Sequence, residues 1–174
     1  MKQLNHFETL KKMPKHDIDC ILFLCNVTSE NLGLILRSSD IFGVKDVYYN
    51  GETFDLARIK KTSRQSKTKL HFVSNSNGVT LLTNLRQEGY TIVALEITDE
   101  SIPIRKANMP DKICIIVGNE KIGIPNEILD AVDFAYHIEM VGGNISSMNV
   151  AIATSIAFYK IIEFCLDKNE KVGF

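Results

Sequence analysis

The sequence predicts an α/β fold: a single domain with a mainly parallel sheet of about six strands and helices on both faces. Short apolar runs alternate along the chain with segments of helical periodicity, the pattern of βαβ units. Glycine and asparagine also cluster where several of these runs turn towards a helix. No repeat, low-complexity stretch or linker divides the 174 residues. We therefore expect one domain, residues 18–174, after a short N-terminal arm, residues 1–17.

The first half of the chain contains three predicted strands and two predicted helices. "CILFLCN" (20–26) is apolar almost throughout, which is typical of a strand buried on both faces. A helix is predicted over 29–42, because Thr28 or Ser29 can cap its start and Gly43 follows its end. Further strands are predicted at 44–49 and 70–73, and a helix over 79–89.

The second half contains three further strands and two helices. The apolar runs predict strands at 90–97, 112–118 and 134–140. A helix over 125–132 is predicted to have Pro125 at its first position. The last helix, 148–166, carries no charge before Lys160 and is apolar on every side, which indicates that it is buried.

Composition excludes several classes of protein. The net charge is -1, so the whole chain is not a polycation, and no apolar run approaches the roughly 20 residues of a membrane span. The N-terminus lacks the apolar stretch of a secretory signal. The four cysteines form no CxxC pair and the four histidines no HxxxH, so we expect buried, reduced thiols, no metal and a cytoplasmic location.

One segment, residues 56–70, is strongly basic. It carries six cations and no Asp or Glu. It is interpreted either as a solvated loop or as a patch that contacts phosphates, where Thr62, Ser63 and Gln65 add hydrogen bonds to phosphate or sugar. Composition alone leaves both interpretations open. The expected phosphate-contacting residues are Arg58, Lys60, Lys61, Ser63, Arg64 and Lys67.

Three glycine- and asparagine-rich loops follow the first, fifth and sixth predicted strands. Ligands of parallel α/β sheets bind at the carboxyl ends of strands, so these loops are candidates for one binding site. Gly118, Gly123, Gly142 and Gly143 either admit a ligand close to the backbone or serve ordinary turns. Neither GxGxxG nor GxxxxGK[ST] is present, which argues against a Rossmann dehydrogenase and a P-loop NTPase.

In their order, these loops resemble the three motifs of the SpoU (TrmH-like) branch of the SPOUT RNA methyltransferases, over roughly residues 18–165. The motifs read here "NLGLILRSSDIFGV", "IIVGNEKIGI" and "IEMVGGNISSMNVAIA". The chain departs from the family in having Glu139 in place of proline, an extra residue before Gly143, Met148 in place of leucine and Ala151 where serine is frequent. Gln65 and Ser66 also replace a frequent Gly-Ala pair.

The resemblance implies a C-terminal trefoil knot, S-adenosylmethionine as cofactor and transfer of its methyl group to a ribose 2′-hydroxyl of tRNA or rRNA. It also implies a homodimer through the last helix, in which Ala151, Ala153, Ser155 and Ala157 permit close approach. The expected catalytic residues are Arg37, Asn31, Glu120, Ser147 and Asn149. The expected cofactor contacts are Leu95, Gly118, Ile138, Ser147 and Met148.

Each catalytic candidate also has a structural interpretation. Arg37 either orients the acceptor hydroxyl or pairs with Asp40 on the same helix. Asn31 holds Arg37 or the ribose, or makes a local turn, and Glu120 anchors Arg37 or its own loop, or is a solvated acid. Ser147 and Asn149 contact the acceptor or cap the last helix. The alternatives for the whole chain are a non-catalytic RNA-binding module and a nucleotide-dependent oxidoreductase.

Overall fold

Seven strands form one sheet in the computed structural model, which describes residues 3–12, 18–52 and 54–172. In chain order the strands are β1 (Asp19–Cys25), β2 (Asp46–Asn50), β3 (Lys69–Val73), β4 (Thr91–Leu95), β5 (Ile102–Pro103), β6 (Lys112–Val117) and β7 (Phe134–His137). They lie side by side in the order β3-β2-β1-β6-β4-β7-β5, and every neighbouring pair is parallel. All carboxyl ends therefore meet at one edge of the sheet.

This sheet confirms the predicted α/β class, and only the two-residue β5 was missed. Two residues are too few to produce an alternating or continuous apolar pattern, so the sequence carries no signal for that strand. The proposed boundary at residue 18 remains a prediction, and residues 13–17 of the expected arm lie outside the described residues.

Six α-helices are found in the described part of the chain. They are α1 (His6–Lys12), α2 (Ser29–Ile41), α3 (Leu56–Ser63), α4 (Gly78–Gln87), α5 (Asn126–Leu129) and α6 (Val150–Val172), with 3-10 turns at Asn75–Asn77 and Ile104–Lys106. Thr28, one of the two predicted caps, accepts a hydrogen bond from the Asn31 backbone N–H at the start of α2. Pro125 precedes α5 as its cap residue, and does not occupy the first helical position as predicted.

The first half of the basic segment is a helix and not the loop that one interpretation assumed, whereas residues 64–68 belong to no helix or strand. Residues 56–63 form the helix α3, because the Asp55 carboxylate accepts hydrogen bonds from the Ala57 and Arg58 backbone N–H groups. Arg64 ends the helix in the left-handed conformation, with φ of 48°. Ile59 faces inwards and α3 packs on α2, so Arg58, Lys60 and Lys61 are held on a regular, partly buried element.

The two faces of the sheet bury separate cores. Leu22 and Leu24 of β1 point to the face covered by α2, α3 and α6, whereas Phe23 points to the face covered by α4 and α5. This alternation places helices on both faces, as predicted. Cys20, Cys25 and Cys114 are buried free thiols, whereas Cys165 is only half-buried. Burial raises the pKa of Cys25 to about 12.

Helix α6 contributes to the core of its own chain more than the sequence analysis assumed. Ala157 and Phe158 are fully buried against α2 and the sheet, and Ala151 is also in that core. Ala157 is therefore unavailable to a second subunit, which corrects its predicted place in a dimer interface. The exposed apolar side chains of α6 are Ile152, Ile156 and Tyr159.

Across residues 3–12, 18–52 and 54–172, no helix combines the length and apolar character that a membrane span requires. The same residues contain no cluster of three or more His, Cys, Asp or Glu side chains suited to a metal ion.

Candidate active site

A cavity of about 300 Å³ opens at the carboxyl edge of the sheet, where β4, β6 and β7 end. Its wall is completed by the segment that leads into α6. The cavity is lined by all five residues that were predicted to contact a cofactor: Leu95, Gly118, Ile138, Ser147 and Met148. The fold thus brings together residues from four separate segments of the chain.

Two glycines allow the backbone to form this wall. A Cβ on Gly118 would lie 2.2 Å from the carbonyl carbon of Gly123, a distance that side chains do not tolerate. Gly123 has φ of +69°, and its backbone N–H donates to the carbonyl of Asn119. The turn from Gly118 to Gly123 therefore requires glycine at both ends. The structure thus shows the turn that one interpretation assumed, and the approach of a ligand to this backbone remains a prediction.

A hydrogen-bonded network joins the three motifs at the mouth of the cavity. The buried Asn31 donates from its side-chain amide to the Glu120 carboxylate. Asn149 donates to the side-chain carbonyl of Asn31, at 3.1 Å, and to the same Glu120 oxygen, at 3.3 Å. Three of the predicted catalytic residues thus meet, although they come from α2, the loop after β6 and the start of α6.

Asn149 has two structural functions at once. Its side-chain oxygen accepts hydrogen bonds from the backbone N–H groups of Ala151 and Ile152, which caps α6. Its amide nitrogen supplies the two donors to the network. Ser147 is exposed and lines the cavity, and it does not cap α6.

Arg37 lies outside this network. It is exposed on α2, in a surface groove that it shares with Asn149 and with the exposed Ile152 and Tyr159 of α6. Within the described residues it makes no ion pair with Asp40 and no hydrogen bond to Asn31 or Glu120. The structure therefore does not show the arrangements in which Asn31 or Glu120 holds Arg37. Its guanidinium group faces solvent at the edge of the site.

The basic helix α3 presents its cations to solvent. The exposed members are Arg58, Lys60, Lys61 and Arg64, followed by Lys67 and Lys69. Arg58 differs from the others because it forms ion pairs with Glu30 and Asp55. Hydrogen bonds from its own backbone N–H and from Arg58 lower the pKa of Glu30. An acid from outside the segment thus partly neutralises the predicted patch, contrary to what its composition indicated.

The hydroxyl groups near α3 are largely engaged inside the protein. Thr62 donates to the Arg58 carbonyl and lies where a Cβ on Gly33 would collide with its oxygen. Ser66 donates to the Leu36 carbonyl, at 2.8 Å. Ser63 is half-buried and directs its hydroxyl to the Lys60 carbonyl, at 3.5 Å.

The departure at Glu139 has a physical explanation in the structure. Glu139 forms a two-bond ion pair with Arg105, whose second contact is 3.0 Å long. The hydrogen bond from Arg105 lowers the pKa of Glu139. Because Ile138 and Met140 on either side line the cavity, the pair connects the cavity wall with the segment after β5.

Sequence reasoning missed several polar residues of the cavity. They are Glu96, Asn119, Lys121 and His137. Glu96 and Asn119 directly follow the predicted contacts Leu95 and Gly118, so their place at a strand end was a usable signal. His137 ends β7 directly before the predicted contact Ile138 and so has the same signal, whereas its contact with Ser101, at 3.0 Å, joins separate segments of the chain.

The comparisons with known proteins decide the family. The sequence profile of the SpoU rRNA methylase family matches residues 19–159. This chain belongs to the SpoU rRNA methylase family. The prediction made from the three motifs is therefore confirmed.

Individual SpoU relatives match most of the chain. It is 33% identical to a tRNA (guanosine(18)-2′-O)-methyltransferase of Aquifex aeolicus, over 88% of this chain and 72% of that protein. The crystal structure of the A. aeolicus TrmH/SpoU tRNA-modifying enzyme superposes with a TM-score of 0.76 at 27% identity, over 89% of this chain and 79% of that one. An AdoMet-bound rRNA methyltransferase from Sinorhizobium meliloti shares the fold, with a TM-score of 0.74 at 22% identity, over 88% and 59% of the two chains.

Proposed function

We propose that this protein transfers a methyl group from S-adenosylmethionine to a ribose 2′-hydroxyl of tRNA or rRNA. The observation that carries the proposal is the network of Asn31, Glu120 and Asn149 at the mouth of a backbone-lined cavity. Membership of the SpoU family supports the reaction, and the activity for which the A. aeolicus relative is named is the same type of transfer.

The cavity lining offers groups that can contact each part of S-adenosylmethionine. The close approach of Gly118 and Gly123 leaves backbone groups in the wall, where they can bind the adenosine part. Leu95, Ile138 and Met148 provide apolar contacts for the base. The carboxylates of Glu96 and Glu120 lie on the same wall and favour a cationic ligand such as a sulfonium. When bound, the cofactor supplies an already activated methyl group.

The residues of the chain then have to place and activate the acceptor hydroxyl. An arginine side chain has five N–H donors and no acceptor, so Arg37 serves as a donor and not as a base. Its planar fork can hold the hydroxyl and a neighbouring phosphate, and the phosphate oxygen can accept the proton. Asn31, Glu120 and Asn149 fix the start of α6 against the cavity, which aligns Ser147 with the acceptor. Correct alignment contributes up to about 7–11 kcal/mol in ideal cases.

RNA binds across the exposed cations of α3 and of the turn that follows it in this proposal. Lys60, Lys61, Arg64 and Lys67 supply the phosphate contacts, while the already paired Arg58 contributes less. The half-buried Ser63 is at most an additional donor. Phosphate contacts position an RNA without selecting its sequence, so the choice between tRNA and rRNA lies elsewhere.

The protein is also proposed to act as a homodimer through its C-terminal helix. The supporting observation is the groove between α2 and α6, which is lined by Arg37 and by five exposed apolar side chains, Leu34, Ile41, Ile152, Ile156 and Tyr159. Ile152→Glu would place a charge in this interface, whereas Ala157→Glu would place it in the core of the subunit. Analytical ultracentrifugation of the parent and of Ile152→Glu tests the dimer. A monomeric parent at micromolar concentration would contradict it.

Two further properties complete the proposal on the strength of family membership. The segment from the loop before α6 to its end is proposed to form a trefoil knot, and the protein is proposed to act in the cytoplasm. Limited denaturation followed by refolding kinetics would test for the slow phase that threading of a chain requires.

Nucleoside analysis provides the test of the activity. RNA is isolated from cells with and without the gene, digested, and examined by mass spectrometry for 2′-O-methylnucleosides in the tRNA and rRNA fractions. The proposal predicts the loss of one such nucleoside. An unchanged pattern, together with a purified protein that binds RNA but not S-adenosylmethionine, would favour the non-catalytic RNA-binding module.

A further inference from the structure

An exposed pair of aromatic rings lies beside α3. Phe54 and Phe72 stack with ring centroids 4.3 Å apart and planes inclined by 27°. Phe54 is 43% exposed and Phe72 is 50% exposed. The buried Tyr49 contacts both rings edge-on, with centroids at 6.5 and 6.0 Å, and its hydroxyl donates to the Val27 carbonyl. The pair is therefore held rigidly from beneath while its outer surface faces solvent.

The position of this aromatic pair relates it to the candidate active site. Phe72 lies near the carboxyl end of β3, and β3 is three strands away from β6, which carries Gly118 at its end. Three strand spacings correspond to about 14 Å. A second pocket, of about 450 Å³, lies between them and includes Phe54, Tyr49 and Asn26 in its wall.

A direct hydrogen bond connects that second pocket with the first cavity. The side-chain amide of Asn119, which lines the first cavity, donates to the Asn26 carbonyl at 2.9 Å. The carboxyl edge thus presents one path from the aromatic pair to the mouth of the cavity. An RNA strand with one nucleotide at the cavity can follow this path with a nearby nucleotide at the rings.

The acid next to the rings is Asp55, which lines the second pocket and forms an ion pair with Arg58. Cations without an acid partner lie on the two segments that follow or carry the rings: Lys60 on α3, which begins two residues after Phe54, and Lys67 and Lys69, before and at the start of β3. These cations are exposed, and none of them forms an ion pair within the described residues. Aromatic side chains that accompany cations are the usual platform for unpaired bases, because every base has a face that can stack.

We propose that Phe54 and Phe72 form a stacking platform for an unpaired base of the substrate RNA, close to the nucleotide that is methylated. This inference rests on the proposed function, since it concerns the same RNA. It adds a contact with bases to the phosphate contacts of α3. It also explains why two large aromatic side chains are exposed together beside an edge strand.

The absence of tryptophan from the sequence provides a direct test. Phe72→Trp introduces a single fluorescent reporter on the platform. A matched control is Phe134→Trp, because Phe134 is also 50% exposed on a strand but lies on β7, five strand spacings from β3. A single-stranded oligoadenylate should quench the reporter at position 72 and leave the control unchanged. A blunt RNA duplex, which has no unpaired bases, should quench neither.

Binding measurements with alanine variants give an independent readout. Phe72→Ala and Phe54→Ala should each weaken binding of the oligoadenylate by roughly 5- to 100-fold, the range for the removal of one base stack. The slope of the affinity against salt should not change, because every phosphate remains bound to its cation. Phe134→Ala should bind as the parent does. Thermal unfolding of each variant shows whether it is folded, and Phe54→Trp provides a second reporter.

The outcomes separate this inference from the proposed function. If the parent transfers methyl groups to RNA but the reporter at position 72 responds neither to oligoadenylate nor to substrate RNA, the stacking platform is refuted. If the alanine variants weaken binding only by flattening the salt slope, the platform is also refuted. If the parent binds no S-adenosylmethionine, the proposed function is refuted. The fluorescence of the reporter at position 72 still decides whether the rings stack on bases, because that measurement needs no cofactor.

Discussion

The double function of Asn149 leads to a prediction that separates catalysis from folding. Asn149→Ala removes the cap of α6 and both amide donors to the network. The loss of a cap costs about 1 kcal/mol, and leaving the side-chain oxygen of the buried Asn31 without its partner costs about 1–3 kcal/mol. Asn149→Ser also removes the amide, but its hydroxyl can still cap the helix. The two variants should therefore differ in stability by the cap alone.

The expected results follow from these magnitudes. A difference of about 1 kcal/mol corresponds to a Tm about 2–4 °C lower for Asn149→Ala than for Asn149→Ser in a chain of this size. Both should transfer methyl groups roughly 100-fold more slowly than the parent, because the start of α6 is no longer fixed against Glu120. Thermal unfolding and a single-turnover methyl-transfer assay measure the two quantities. An Asn149→Ser variant that reacts at the parent rate would refute the role of the network.

Three further predictions concern the other parts of the site. Gly118→Ala should introduce about 1–3 kcal/mol of strain and abolish detectable cofactor binding in calorimetry, whereas Gly142→Ala should not, because a Cβ there meets nothing within 4 Å. Arg37→Ala should leave cofactor affinity unchanged and slow methyl transfer on the order of 100-fold; parent-like transfer would exclude its role at the acceptor. Replacing three unpaired cations of α3 and its C-terminal cap by alanine should flatten the salt slope of RNA binding by about 0.7–0.9 for each phosphate that is no longer neutralised. Arg58→Ala should flatten it less, and filter binding at several salt concentrations measures both. The three cations are Lys60, Lys61 and Arg64.

The sequence was most informative where a residue type is required by backbone geometry or by a strand end. The apolar runs located six of the seven strands, because strands buried on both faces leave continuous apolar segments. Gly118 and Gly123 indicated the cavity wall, since only glycine permits their mutual approach. The motif spacing also placed Asn31, Glu120 and Asn149 at one site, and the structure joins them by hydrogen bonds.

Features that depend on contacts between distant segments could not be predicted. The ion pair of Arg105 and Glu139 links residues 34 positions apart, and neither residue has a pattern that identifies the other. Asp55, which caps the start of α3, lies one position before the basic segment. An interpretation of that segment by its charge alone therefore did not predict the helix. The burial of Ala157 against its own core could not be separated from burial in a dimer, because both require a small apolar residue.

The proposed function depends most directly on the transfer of a methyl group to a ribose. Purified protein is incubated with unmodified bulk RNA and S-adenosylmethionine labelled in its methyl group, and the digested nucleosides are separated by mass spectrometry. The label is expected on the ribose 2′-oxygen of one nucleoside, and it should accumulate on the order of 100-fold more slowly when Arg37→Ala replaces the parent. Label on a base, or no label on any RNA despite measurable binding of the cofactor, would contradict the proposed function.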